Sequence, residues 1–171
     1  PRVSVWWLAI WLLLCIAAAR PQQLGDPIQP PHSGRNLLLV VDLSGSMAAE
    51  DFEIRGERVN RVQMAKRVLE KFVAKRPNDR IGLVAFGTQA YIASPITLDH
   101  DFLLKNLERL DLNTINGNQT AIGAALSTGV NRLRELKSKS KIVILMTDGQ
   151  NNAGKVAPLT AAEAAQALGV K

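Results

Sequence analysis

The stretch Leu37-Leu38-Leu39-Val40-Val41-Asp42-Leu43-Ser44-Gly45-Ser46 decides the fold of this chain. Its short continuous apolar run has no polar alternation, as expected of a strand covered on both faces. A carboxylate closes the run, and two hydroxyls follow it on one tight loop. Gly45 lets that loop turn without a side-chain clash.

Downstream, Val59, Val62, Ala65, Val68, Leu69, Phe72 and Val73 recur at helical spacing and stop before Pro77. Residues 81–86 form a second buried strand, and residues 90–93 a third that pairs with the second at the sheet edge. Asp99 opens a helix with Phe102, Leu103, Leu107 and Leu110 on its core face. Another helix follows Thr120, with Ile122, Leu126, Val130 and Leu133 turned inward. Residues 142–146 are the next buried strand, ending at Thr147-Asp148-Gly149. Thr160 with Glu163 makes a capping box ahead of a last helix over residues 164–168. Strands alternating with helices predict an α/β fold, a doubly wound, mostly parallel sheet with helices on both faces. Ligands of such sheets bind at the carboxyl ends of the strands, near the switch point. Asp42 and Asp148 each follow an apolar strand, at those ends.

The candidate site is therefore Asp42, Ser44, Ser46, Thr120 and Asp148. Carboxylate and hydroxyl oxygens are hard ligands, suited to Mg²⁺, Mn²⁺ or Ca²⁺ rather than zinc. The two histidines and single cysteine are too few and too scattered for a zinc site. Taken singly, each residue has a plainer explanation. A Ser or Asp after a strand is commonly a turn or cap residue, and Thr120 alone is a helix N-cap. Their combination, at matching places in the strand-helix order, points to a metal site.

Val41-Asp42-Leu43-Ser44-Gly45-Ser46-Met47, Thr120 and Thr147-Asp148-Gly149 together resemble the metal-ion-dependent adhesion site of von Willebrand factor type A domains. The resemblance implies a Rossmann-like sheet with further strands after Lys171. It also implies roles: Ser44 and Ser46 bind the ion directly, and Thr120 joins directly or through water. Asp42 and Asp148 act mainly through waters and hydrogen bonds to the seryl groups. Ala48-Ala49-Glu50-Asp51-Phe52, Arg80-Ile81-Gly82-Leu83-Val84, Gln119-Thr120-Ala121-Ile122-Gly123 and residues 148–154 further resemble bacterial Bat (aerotolerance) membrane proteins of the BatA type. That resemblance implies a domain outside the cytoplasm at the inner membrane. It also implies association with other Bat proteins and a MoxR-type AAA+ ATPase.

Residues 3–19 carry no charge and lie between Arg2 and Arg20. They sit at the lower limit for crossing a hydrocarbon core of roughly 30 Å, with Trp6, Trp7 and Trp11 suited to an interface. A transmembrane helix over residues 1–20 is therefore expected. A cleaved signal peptide competes, because Ala17-Ala18-Ala19 resembles a cleavage site. Four prolines between residues 21 and 31 make residues 21–35 a semi-rigid linker. Residues 36–171 are then the domain. The chain opens without methionine and stops just after Leu168-Gly169-Val170, so a fragment is expected.

The 171 residues carry a formal charge of +6. Their basic stretches are interleaved with Glu57, Glu70 and Glu135 and lack the aromatics of single-strand binding, so no nucleic-acid partner is expected. The lone Cys15 excludes an internal disulfide. Three function classes compete. The favoured one is a non-catalytic module that holds a cation and takes an acidic group of a partner protein. A phosphohydrolase of haloacid-dehalogenase type would need a second carboxylate where Ser44 stands. A scaffold with a vestigial metal site is the third.

Overall fold

The computed structural model describes residues 5–19, 34–136, 138 and 140–171, in two compact units, Pro1–His32 and Ser33–Lys171. In the first unit, helix α1 (Val5–Ala18) has 14 residues, none buried. At 1.5 Å per residue these described residues reach about 21 Å. Among the described residues no helix is long and apolar enough to cross a membrane. Of the expected transmembrane helix over residues 1–20, the described residues show the helical part Val5–Ala18; residues 1–4 and 20 lie outside them. The proline-rich linker and the flanking Arg2 and Arg20 lie outside the described residues, apart from Gly34 and Arg35.

In the second unit, β1 (Asn36–Asp42) is buried along its whole length. A 3-10 turn at Gly45–Ala48 leads to the short strands β2 (Phe52–Ile54) and β3 (Glu57–Val59), then to α2 (Arg61–Ala74). Strands β4 (Arg80–Phe86) and β5 (Ala90–Thr97), helices α3 (His100–Arg109) and α4 (Ile122–Arg134), strand β6 (Lys141–Met146) and helix α5 (Pro158–Ala167) follow. The sheet order is β5-β4-β1-β6, with β4 and β6 parallel to β1 and β5 antiparallel to β4 at the edge. Asp42 pairs with Phe86 and Val41 with Met146, so the carboxyl ends of the three parallel strands lie level.

Alternate residues of a strand face opposite sides, and β1 uses this to hold two cores together. Leu37, Leu39 and Val41 pack with Val62, Ala65, Leu69 and Val73 of α2 and Leu103 and Leu107 of α3. Leu38 and Val40 pack with Ile122, Ala125, Val130 and Leu133 of α4. The sheet is thus doubly wound. A reciprocal cap starts α2: Asn60 Oδ1 accepts from the Gln63 amide at 2.8 Å, and Gln63 Oε1 accepts from the Asn60 amide at 3.1 Å. Asp99 caps α3 by accepting from the Phe102 amide at 2.9 Å.

The helix phases hold, but the apolar stripes are narrower than expected. Val68 is 49% exposed and Phe102 45% exposed. Each precedes a buried leucine and sits about 100° around the helix from it, at the stripe's edge. Leu126 is only partly buried. The last helix begins at Pro158, ahead of the Thr160–Glu163 pair, and no side chain caps it. Proline at the first turn is already set for helical φ and lacks only an amide that would go unpaired there. The hairpin β2–β3 has no counterpart in the expected elements. Arg55 (φ 54°) and Gly56 (φ 87°) form its two-residue turn, with the double positive φ such hairpins need.

Candidate metal centre

Strand β1 ends by aiming Asp42 into the crevice beside β6, where it is fully buried. Both its oxygens are taken: Oδ1 accepts from the Ser44 amide at 2.7 Å and Oδ2 from Thr147 Oγ1 at 2.5 Å. A buried carboxylate is costly unless hydrogen-bonded, and these two donors satisfy it. Asp42 thereby ties the loop after β1 to the end of β6. The resemblance predicted that Asp42 acts through waters and hydrogen bonds to the seryl groups. Here its partners are a seryl amide and Thr147, whose hydroxyl also accepts from the Gly149 amide at 3.1 Å.

Held this way, the loop sets Ser44 Oγ and Ser46 Oγ 3.0 Å apart, and Ser46 Oγ donates to Asp148 Oδ1 at 2.7 Å. Thr120 arrives from the other side of the crevice, just before α4. Its backbone is clamped by Asn152, whose Oδ1 accepts from the Thr120 amide at 2.7 Å and whose amide donates to the Thr120 carbonyl at 3.0 Å. The cap position of α4 belongs to Ala121, so Thr120 is not an N-cap. A methyl group on Gly149 would stand 3.4 Å from Thr120 Oγ1 and 3.7 Å from Ser46 Oγ. Gly149 therefore keeps open the space between the two hydroxyls. All five expected residues meet at this crevice.

Gly45 does not have a positive φ. The tight approach at this loop comes from Gly117, whose carbonyl accepts from the Gly45 amide at 2.8 Å. A Cβ at Gly117 would meet the Leu43 carbonyl at 2.7 Å. Sequence reasoning also missed Arg61 and Asp51. Arg61, in the first turn of α2, donates from Nη1 to Asp148 Oδ2 and from Nη2 to Asp51 Oδ2, the latter at 2.5 Å. Partial burial pushes the Asp148 carboxyl up, but bonds from Ser46 and Arg61 outweigh this and hold it below the ordinary carboxylate value. The bond from Arg61 likewise lowers Asp51. Nothing in residue type alone marks Arg61, because an arginine opening an amphipathic helix is ordinary; only the fold brings it to Asp148.

The donor set fits a hard divalent cation: neutral hydroxyls of Ser44, Ser46 and Thr120, and the inward oxygen of Asp148. Among the described residues no three His, Cys, Asp or Glu side chains cluster as a conventional metal cage. The donors here are mainly hydroxyls.

Comparison with known proteins gives the following. A model of the von Willebrand factor type A domain matches residues 37–150. A solved aerotolerance-related membrane protein from Bacteroides fragilis is 29% identical, with TM-score 0.71, over 81% of this chain and 65% of its own. BatB from Bacteroides thetaiotaomicron is 29% identical, with TM-score 0.72, over 81% and 64%. Proximal thread matrix protein 1 from the mussel byssus, solved with a zinc-occupied MIDAS motif, is 26% identical, with TM-score 0.65, over 81% and 36%. The chain spans 46% and 41% of the lengths of the two curated relatives it matches.

Proposed function

This chain belongs to the von Willebrand factor type A domain family, and on that premise we propose that it is a binding module without catalysis of its own. Ser44, Ser46 and Thr120, with Asp148 beside them, hold a divalent cation, Mg²⁺ in the first instance. Asp42 holds the loop that carries the two serines. The ion, when bound, supplies a positive charge and an open position for an acidic group of a partner protein. The observation that carries this is the Ser44–Ser46–Asp148 hydrogen-bond chain facing Thr120 across Gly149.

Neutral hydroxyls satisfy the ion without cancelling its charge, and that is the chemistry a carboxylate partner needs. Phosphohydrolysis of haloacid-dehalogenase type lacks its second carboxylate here, because Ser44 stands at that position.

We further propose that the module works at a bacterial inner membrane, on its periplasmic side. There it joins a complex of Bat-type proteins with a MoxR-type AAA+ ATPase. Support comes from the apolar residues of α1, among them the exposed Trp6, Trp7 and Trp11, and from the membrane protein among the relatives. The test is co-purification of the full-length protein from detergent-solubilised membranes, in Mg²⁺ and in chelator. Partners retained in Mg²⁺ and lost in chelator are expected. Equal retention in both would contradict the metal-mediated reading.

A further inference from the structure

Asp148 serves two claimants. Its Oδ1 faces the seryl hydroxyls, accepting from Ser46 Oγ at 2.7 Å. Its Oδ2 is held by Nη1 of Arg61, while Nε of the same guanidinium holds Asp51 at 3.1 and 3.0 Å and Nη2 holds it at 2.5 Å. An arginine stays charged under all ordinary conditions, and its planar fork can serve two carboxylates at once. The cation site thus carries a permanent positive charge on the far oxygen of one of its own carboxylates. Asp51 partly offsets that charge by taking the other edge of the guanidinium.

We propose that Arg61 is a built-in competitor of the divalent ion for Asp148, with Asp51 setting how strongly it competes. This rests on the metal-binding role given above to the site. Arg61 draws on the Asp148 charge, so the site holds its cation less tightly. A bound cation then keeps more of its own charge for an acidic group arriving from outside. Asp51, by sharing the guanidinium, moderates the competition. Together the pair balances metal affinity against ligand affinity without touching the metal itself.

The experiment is calorimetric titration of the full-length protein with Mg²⁺ alone, for the parent, Arg61→Gln, Asp51→Asn and the double variant. Thermal unfolding without metal serves as the folding control. Arg61→Gln should bind Mg²⁺ about tenfold tighter, the lower end of what groups outside the direct ligands contribute. Asp51→Asn should bind more weakly than the parent, because Arg61 then bears on Asp148 undivided. The double variant should match Arg61→Gln, since Asp51 acts only through Arg61. Equal or weaker binding by a folded Arg61→Gln overturns the proposal and makes Arg61 a residue that merely orients Asp148. If Arg61→Gln fails to fold, Asp51→Asn decides: weaker binding supports competition, and unchanged or tighter binding overturns it. Mg²⁺ binding by the parent with no gain in Arg61→Gln sinks the competitor alone. Absence of binding in every variant sinks the metal site as well.

Discussion

At the scale of single residues, the site separates into groups that face the crevice and groups that hold them there. Asp42 belongs to the second kind, since both its oxygens are spent on Ser44 and Thr147. Asp42→Ala should therefore destabilise the fold, leaving the buried Ser44 amide and the partly buried Thr147 hydroxyl without their partner. The expected cost is about 1–3 kcal/mol for the amide and less for the hydroxyl. Chemical denaturation would measure it, and an unchanged midpoint would remove Asp42 from this role. Gly149→Ala should behave in the opposite way. Its methyl would sit in ordinary contact with Thr120 and Ser46, so stability should survive while Mg²⁺ affinity falls. Retained affinity in that variant would show that the space between the hydroxyls is not where a cation goes. Asp42, Ser44, Ser46, Thr120 and Asp148 were legible in the sequence because each hydroxyl or carboxylate stands next to a strand or helix boundary. The roles of Thr147, Asn152 and Arg61 were not. Their work depends on partners 105, 32 and 87 positions away, which no local spacing reveals.

At the scale of elements, helix α4 shows how far periodicity goes. Leu133 is fully buried against β1, whereas Leu126 is only partly so. Leu133→Ala should cost about 2–5 kcal/mol, the range for emptying a packed leucine site. Leu126→Ala should cost clearly less. Urea unfolding of both variants checks the order, and the reverse order would mean that α4 is rotated from the phase described. The strands and most helices could be read from sequence because buried strands are continuous apolar runs and helices repeat every turn. The β2–β3 hairpin escaped because its strands have three residues each and its turn pairs Arg55 with Gly56, without the usual Asn or Asp. The 3-10 turn at Gly45–Ala48 escaped because short helices of that kind have no period to detect.

At the scale of the whole molecule, one strand organises everything. β1 is central in the sheet, supplies alternate faces to both cores, and delivers Asp42 and the serine loop at its carboxyl end. Rigidity of the sheet is thereby passed to the site, and the doubly wound order opens the crevice where β6 brings Asp148. The N-terminal helix stands apart from this logic: over its described residues, Val5–Ala18, its apolar side chains are exposed. The central claim is that hydroxyls at the end of β1 hold a divalent cation, and calorimetric titration of the full-length protein and its Ser44→Ala variant with Mg²⁺ tests it most directly. The parent should bind saturably and Ser44→Ala far more weakly, with matched thermal unfolding in the absence of metal. Equal binding by both proteins, or no binding by either at millimolar Mg²⁺, would contradict it.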